Sequence, residues 1–164
     1  MRIFLIAALA VSLSACAAFA QVNIGFGGVA HDATQAIEVT ADSLAVNQNT
    51  GNAVFTGNVI ILQGDLRMAA GEVTVIYSLE DGSQDVEQVV ATGGVLITRG
   101  EDAAEGQAAN YEVAASRMTL TGGVLVTQGP TAISGDRMVV DMTTGDGTVE
   151  GRVRTVLQQG DDNQ

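Results

Sequence analysis

The chain has 164 residues, 46% of them apolar and 16% charged, with 20 glycines, one proline and no tryptophan. That length and apolar content suit one packed domain and exclude a disordered chain. Seven basic residues, all of them arginine, face 19 acidic ones, and the resulting charge of -12 repels phosphodiester backbones and excludes nucleic acid as a partner.

Met1-Arg2 and the apolar run over residues 3–13 have the charged start and greasy middle of a secretory signal, too short to span a bilayer. Ala18-Phe19-Ala20 supplies the small-x-small pattern for cleavage, so residues 1–20 are expected to be a signal peptide, with export and a mature start at Gln21. The alternative is Leu13-Ser14-Ala15-Cys16, which resembles a lipobox and would leave a lipoprotein anchored at Cys16. With the cut after Ala20 the mature chain has no cysteine, hence no disulfide and no thiolate metal site. Residues 21–36, rich in Gly and Ala without a sustained period, read as a flexible leader, and order is expected to begin near Ile37.

From Ile37 onward the pattern is that of strands. Ile37-Glu38-Val39 and Leu44-Ala45-Val46 alternate, and Asn47 to Asn52 supply turn residues. Then comes a nine-residue phrase that occurs three times: Thr56-Gly57-Asn58-Val59-Ile60-Ile61-Leu62-Gln63-Gly64, Thr92-Gly93-Gly94-Val95-Leu96-Ile97-Thr98-Arg99-Gly100 and Thr121-Gly122-Gly123-Val124-Leu125-Val126-Thr127-Gln128-Gly129. A fainter fourth copy stands at Gly151-Arg152-Val153. Such self-similarity marks a repeated supersecondary unit. Val73 to Tyr77, Ala109 to Val113 and Met138 to Met142 are alternating runs between the copies, with Asp81-Gly82 and Gly145-Asp146-Gly147 as turns. Only residues 65–72 offer a weak helical candidate. The whole reads as an all-β antiparallel meander over residues 37–157, on the order of 12 to 16 strands, followed by a disordered acidic tail at 158–164.

Within each phrase alternate residues share a face. Phe55, Val59, Ile61, Val95, Ile97, Met118, Leu120, Val124, Val126, Met138 and Val140 then form one continuous aliphatic side. On pattern alone that side fills a closed sandwich core or lines an apolar groove. Glycine recurring at one phase, Gly57, Gly93 and Gly122, reads as a row of bends. The first and last strands, carrying Ile37, Val39, Val149 and Val153, are expected to be open edges able to pair with another chain. Heterologous pairing of that kind builds filaments.

Catalysis finds no support. The one histidine, His31, falls in the expected leader, so neither a Ser-His-Asp arrangement nor a histidine metal site can form. Glu101-Asp102 and Asp161-Asp162 read as solvated turn or tail residues, and the glycine phrases lack the lysine and following helix of a phosphate cradle. No enzyme activity, metal or cofactor is expected. Arg67, Arg99, Arg117 and Arg137 are the candidate local contacts for an anionic group, against a solvated-surface role for each.

Ala41-Asp42-Ser43-Leu44, the run from Thr50 through Phe55-Thr56-Gly57-Asn58-Val59, Met118-Thr119-Leu120-Thr121-Gly122 and Thr127-Gln128-Gly129 together resemble the OstA-like domain of the lipopolysaccharide export machinery. The resemblance runs from about Ile37 to Val153, and by length and leader it points to the soluble periplasmic bridge of that family. It implies an open twisted β-jellyroll whose interior holds lipid A acyl chains, and head-to-tail self-association. It also implies contact with the inner-membrane and outer-membrane components of lipopolysaccharide transport. An exported structural β-repeat protein, polymerising through its edges without lipid cargo, is the alternative.

Overall fold

The structure is a computed structural model that describes residues 21–26, 35–78 and 85–157. The strands are β1 (Gln21–Gly25), β2 (Ile37–Thr40), β3 (Ser43–Val46), β4 (Ala53–Gln63), β5 (Leu66–Tyr77) and β6 (Val86–Arg99). They continue as β7 (Asp102–Glu112), β8 (Arg117–Gln128), β9 (Thr131–Asp141), β10 (Asp146–Glu150) and β11 (Arg154–Leu157). All belong to one antiparallel sheet in the order β1-β10-β9-β8-β7-β6-β5-β4-β2, with β3 also on β4 and β11 also on β9. No described residue is helical, and residues 65–72, the weak helical candidate, fall in the β4–β5 turn and β5.

The repeated phrase explains how one sheet becomes a two-layered molecule. Register shifts occur at Thr56/Val59, Ala69/Glu72, Thr92/Val95, Glu105/Ala108 and Thr121/Val124, on every boundary from β4 to β9, with a further shift at Ile76/Tyr77 between β5 and β6. The extra residue always lies on β4, β6 or β8, the strands that carry the phrase. At Gly93-Gly94 the two φ angles are 80° and 84°, a left-handed pair that only glycine adopts without strain. The intervening strand passes so close that a Cβ on Gly93 would stand 3.1 Å from the Gly71 Cα. The faint fourth copy does the same: Gly151 and Arg152 have φ of 77° and 40°, and the break they make separates β10 from β11.

Along this glycine line the sheet folds over into two leaves. The first leaf contains β2, residues 59–63, 66–70, 95–99, 102–106, 124–128 and 131–135, and β11. The second contains β3, the other halves of β4 to β9, β10 and β1. The phrase's last glycine, at 64, 100 and 129, has a φ between 52° and 59° and opens a two-residue hairpin at the first leaf's rim. One phrase therefore encodes a bend, a short strand and a turn.

Three expectations are corrected. Residues 21–25 are not a flexible leader: they form β1, paired with β10 from Gln21↔Glu150 to Gly25↔Asp146. The cause is Val22 and Ile24, which alternate onto the inner face, followed by a buried Phe26. The described residues hold 11 strands rather than 12 to 16, because strands such as β6, 14 residues long, run unbroken through the bend. Ordered structure also begins before Ile37 for the same reason as β1. The expected signal peptide at 1–20, His31, the turn at Asp81-Gly82 and the tail at 158–164 lie outside the described residues.

Candidate functional site

The inner faces of the two leaves meet in a core that is dense near the glycine line and hollow near one rim. Val59, Val73, Ala91, Val95, Leu120 and Val124, which flank the line, are all buried. Farther out, at the β2 end, the leaves diverge around a cavity of about 320 Å³. Its first-leaf wall is Ile37, Val39, Ile61, Gln63, Leu66 and Met68; its second-leaf wall includes Phe55, Val75, Tyr77, Val89, Tyr111 and Met118. Val86, Val113 and Met142 complete the rim. The volume is at the small end of ligand sites, and the lining is almost wholly hydrocarbon.

Its polar groups are few. The Gln63 amide is already spent, donating to the Gln35 carbonyl at 3.1 Å. Burial pushes the Tyr111 hydroxyl above the ordinary tyrosine range, so the ring enters the site as a neutral, largely apolar wall. Such a lining offers no carboxylate, imidazole, thiol or amine, and what it can do is exclude water from aliphatic chains.

Of the eleven residues expected on the aliphatic side, Phe55, Ile61 and Met118 line the cavity. Val59, Val95, Ile97, Leu120, Val124, Val126, Met138 and Val140 are on the same inner face but buried in packed core. The same inner face is thus packed in one part of the molecule and borders a hollow in another. The difference between the two ends is β1. Val22, Ile24 and Phe26 cover the inner face beside β10, and a Cβ on Gly147 would lie 3.0 Å from Ile24 and 3.3 Å from Met138. The Phe26 amide donates to the Gly145 carbonyl at 2.7 Å, and the Gln128 amide crosses from the first leaf to the Gly25 carbonyl. The sandwich is closed there and open at the β2 end.

The edges are equally asymmetric. Ile37 and Val39 lie on β2, whose far side has no strand among the described residues. Val149 is not at an edge: it is fully buried in β10 between β9 and β1, so its place in the expected edge is corrected. Val153 is half-buried at the break between β10 and β11. The missed edge residues are Leu44 and Val46 of β3; with Val156 and Leu157 of β11, at the end of the expected last strand, they are apolar side chains left 43–71% exposed at opposite ends of the sheet. The signal for Leu44 and Val46 was the apolar alternation of a short strand.

The arginines are mostly engaged. Arg99, 4% exposed, pairs with Asp65 at 3.0 Å; Arg117 and Arg137 pair with Glu112 and Glu150 at 4.0 and 3.8 Å. Arg67 lies on the outer face, in a depression that Glu105 and Gln107 also line. Among the described residues no group of three or more His, Cys, Asp or Glu side chains could hold a metal ion.

Comparison with known proteins places this geometry. The family model described as LptA/(LptD N-terminal domain) LPS transport protein matches residues 38–146. An uncharacterised protein of Rhizobium meliloti (strain 1021) is 32% identical over 108 residues, 62% of this chain and 58% of that protein, so the chain spans less than two thirds of that relative. The crystal structure of LptH, described as the LptA homologous periplasmic component of the lipopolysaccharide transport device of Pseudomonas aeruginosa, superimposes with a TM-score of 0.66. The identity is 22%, with 76% of this chain and 96% of that one covered, a likeness of fold.

Proposed function

This chain belongs to the LptA/(LptD N-terminal domain) LPS transport protein family, and from that premise we propose that it is a noncatalytic periplasmic carrier of lipopolysaccharide. Lipid A acyl chains enter the cavity between the leaves, and copies stack end to end with the inner- and outer-membrane components to bridge the two membranes. Cleavage after Ala20 delivers the chain to the periplasm; mass spectrometry of the mature N-terminus distinguishes Gln21 from a lipidated Cys16.

The observation that carries the reading is the apolar hollow at the β2 end, a solvent for hydrocarbon in an acidic, water-soluble shell. Burying an acyl chain is worth about 0.8 kcal/mol per methylene, so roughly a dozen methylenes approach 10 kcal/mol. That supports recognition through the chains rather than through the phosphates, which a net charge of -12 repels.

A photocrosslinker at Phe55 or Val89 is expected to capture lipopolysaccharide in cells, and one at their outward-facing neighbours Val54 or Val90 is not. Equal labelling of both pairs would refute a carrier. The packed core beneath β1 favours the second reading, a cargo-free scaffold that polymerises through its edges. Extraction of the purified protein separates the two, since a scaffold releases no lipid A.

A further inference from the structure

The glycine line sets the register in which a second copy would extend this sheet. Glu150 is the last residue of β10 before its bend, and Thr56 holds the same place on β4, opposite Ser43. A second copy whose bend continues the line would therefore set its Ser43-Leu44-Ala45-Val46 against residues 150 to 147 of β10. Its β2 would then lie along β11, bringing Ile37 of the second copy, 57% exposed in the free chain, beside Leu157, 71% exposed. On β11 that seat is empty among the described residues.

On β10 the seat is taken. Gln21-Val22-Asn23-Ile24 lies opposite residues 150 to 147, running in the direction that the incoming β3 would run. Val22 and Ile24 put apolar side chains on the inner face where Leu44 and Val46 of the second copy would put theirs. Those two side chains are 56% and 61% exposed in the free chain, inward-facing groups with nothing beyond them to cover.

We propose that β1 is an exchangeable end strand, a surrogate for β3 of a second copy, so that end-to-end assembly requires β1 to leave β10. The proposal rests on the end-to-end stacking argued above and adds its control. Tethered in the same chain, β1 competes at an intramolecular concentration, which holds the free chain closed at that end. Its departure also withdraws Val22, Ile24 and Phe26 from between the leaves. The covered end of one copy then opens towards the cavity at the β2 end of the next, so assembly and continuity of the apolar interior are coupled.

Asn23 and Thr148 face each other on the outer surface, the Thr148 hydroxyl donating to the Asn23 side-chain oxygen at 3.0 Å. In a Cys16→Ser background, Asn23→Cys with Thr148→Cys pins β1 to β10 when oxidised and releases it when reduced. Sedimentation velocity over a concentration series is expected to show assembly of the reduced form, and none of the oxidised form at about tenfold higher concentration. Ile24→Asp, which puts a charge where Ile24 is buried, is expected to shift assembly about tenfold towards lower concentration. If oxidised, reduced and Ile24→Asp proteins assemble alike, strand exchange is overturned and the stacking reading stands. If none of the three assembles, both are overturned.

Discussion

At the scale of single residues, the bend is a matter of backbone angle and clearance, and two adjacent glycines separate these causes. Gly94 has a φ of 84° and open space where a Cβ would go; Gly93 has a φ of 80° and the Gly71 backbone in the way. Gly94→Ala is expected to cost about 1–2 kcal/mol, the left-handed penalty alone. Gly93→Ala should add a further 1–3 kcal/mol or so of overpacking. Urea midpoints at unchanged slope measure both. Where the second bulge residue is not glycine, its side chain is tied down: Asn58 donates to Asp42 at 2.8 Å and Arg152 to Asp136 at 2.8 Å. The hydrogen bond from Arg152, then its charge, holds the Asp136 carboxyl below the usual carboxylate range. A lowered folded-state value means stability that is present above the ordinary aspartate range and lost as pH falls through the lowered one. Both groups are exposed, so the effect is small; the acid limb of stability, as pH falls through and below the ordinary aspartate range, should be slightly flatter in Asp136→Asn than in the parent.

At the scale of elements, the period-two phrases made the long strands, their common inner face and their bends legible, because each of those is written locally in β-branched residues and paired glycines. What local pattern could not settle is whether an inward residue has a partner across the sandwich. Val95 and Phe55 share a face, yet one is packed at the glycine line and the other borders the hollow, a difference fixed by how far the leaves diverge. Strand β1 is not legible in the sequence because Val22-Asn23-Ile24 is short and set among Gly and Ala, and its pairing partner β10 lies more than a hundred residues away. The two kinds of inner position respond oppositely to substitution. Met138→Ala, in the filled half, should cost about 2–5 kcal/mol of unfolding free energy and leave lipid capture intact. Val89→Phe, on the cavity wall, should leave stability nearly unchanged and reduce photocapture of lipid, because the ring occupies the space the chain would take.

At the scale of the whole molecule, apolar ends are set on an acidic body. Ile37, Leu44 and Val46 are exposed at one end and Val156 and Leu157 at the other, while the chain carries a charge of -12. Burial at the junction favours stacking and like charge opposes it. Raising ionic strength from about 0.01 M to 0.15 M shortens the screening length from about 30 Å to 8 Å, and is expected to promote self-association in light scattering. Leu157→Asp should abolish the response by placing a carboxylate at the contact. The phrase-bearing strands also have a geometric corollary. Each passage from one bulge to the next adds a hairpin and returns the chain to the same leaf with the same heading, so hairpins are interchangeable modules and the two apolar ends are indifferent to their number. Tandem duplication of residues 93–121 should lengthen the molecule by two strand spacings, roughly 9.5 Å. The molecule is in this sense a ruler graduated in glycine pairs, whose length is set by counting.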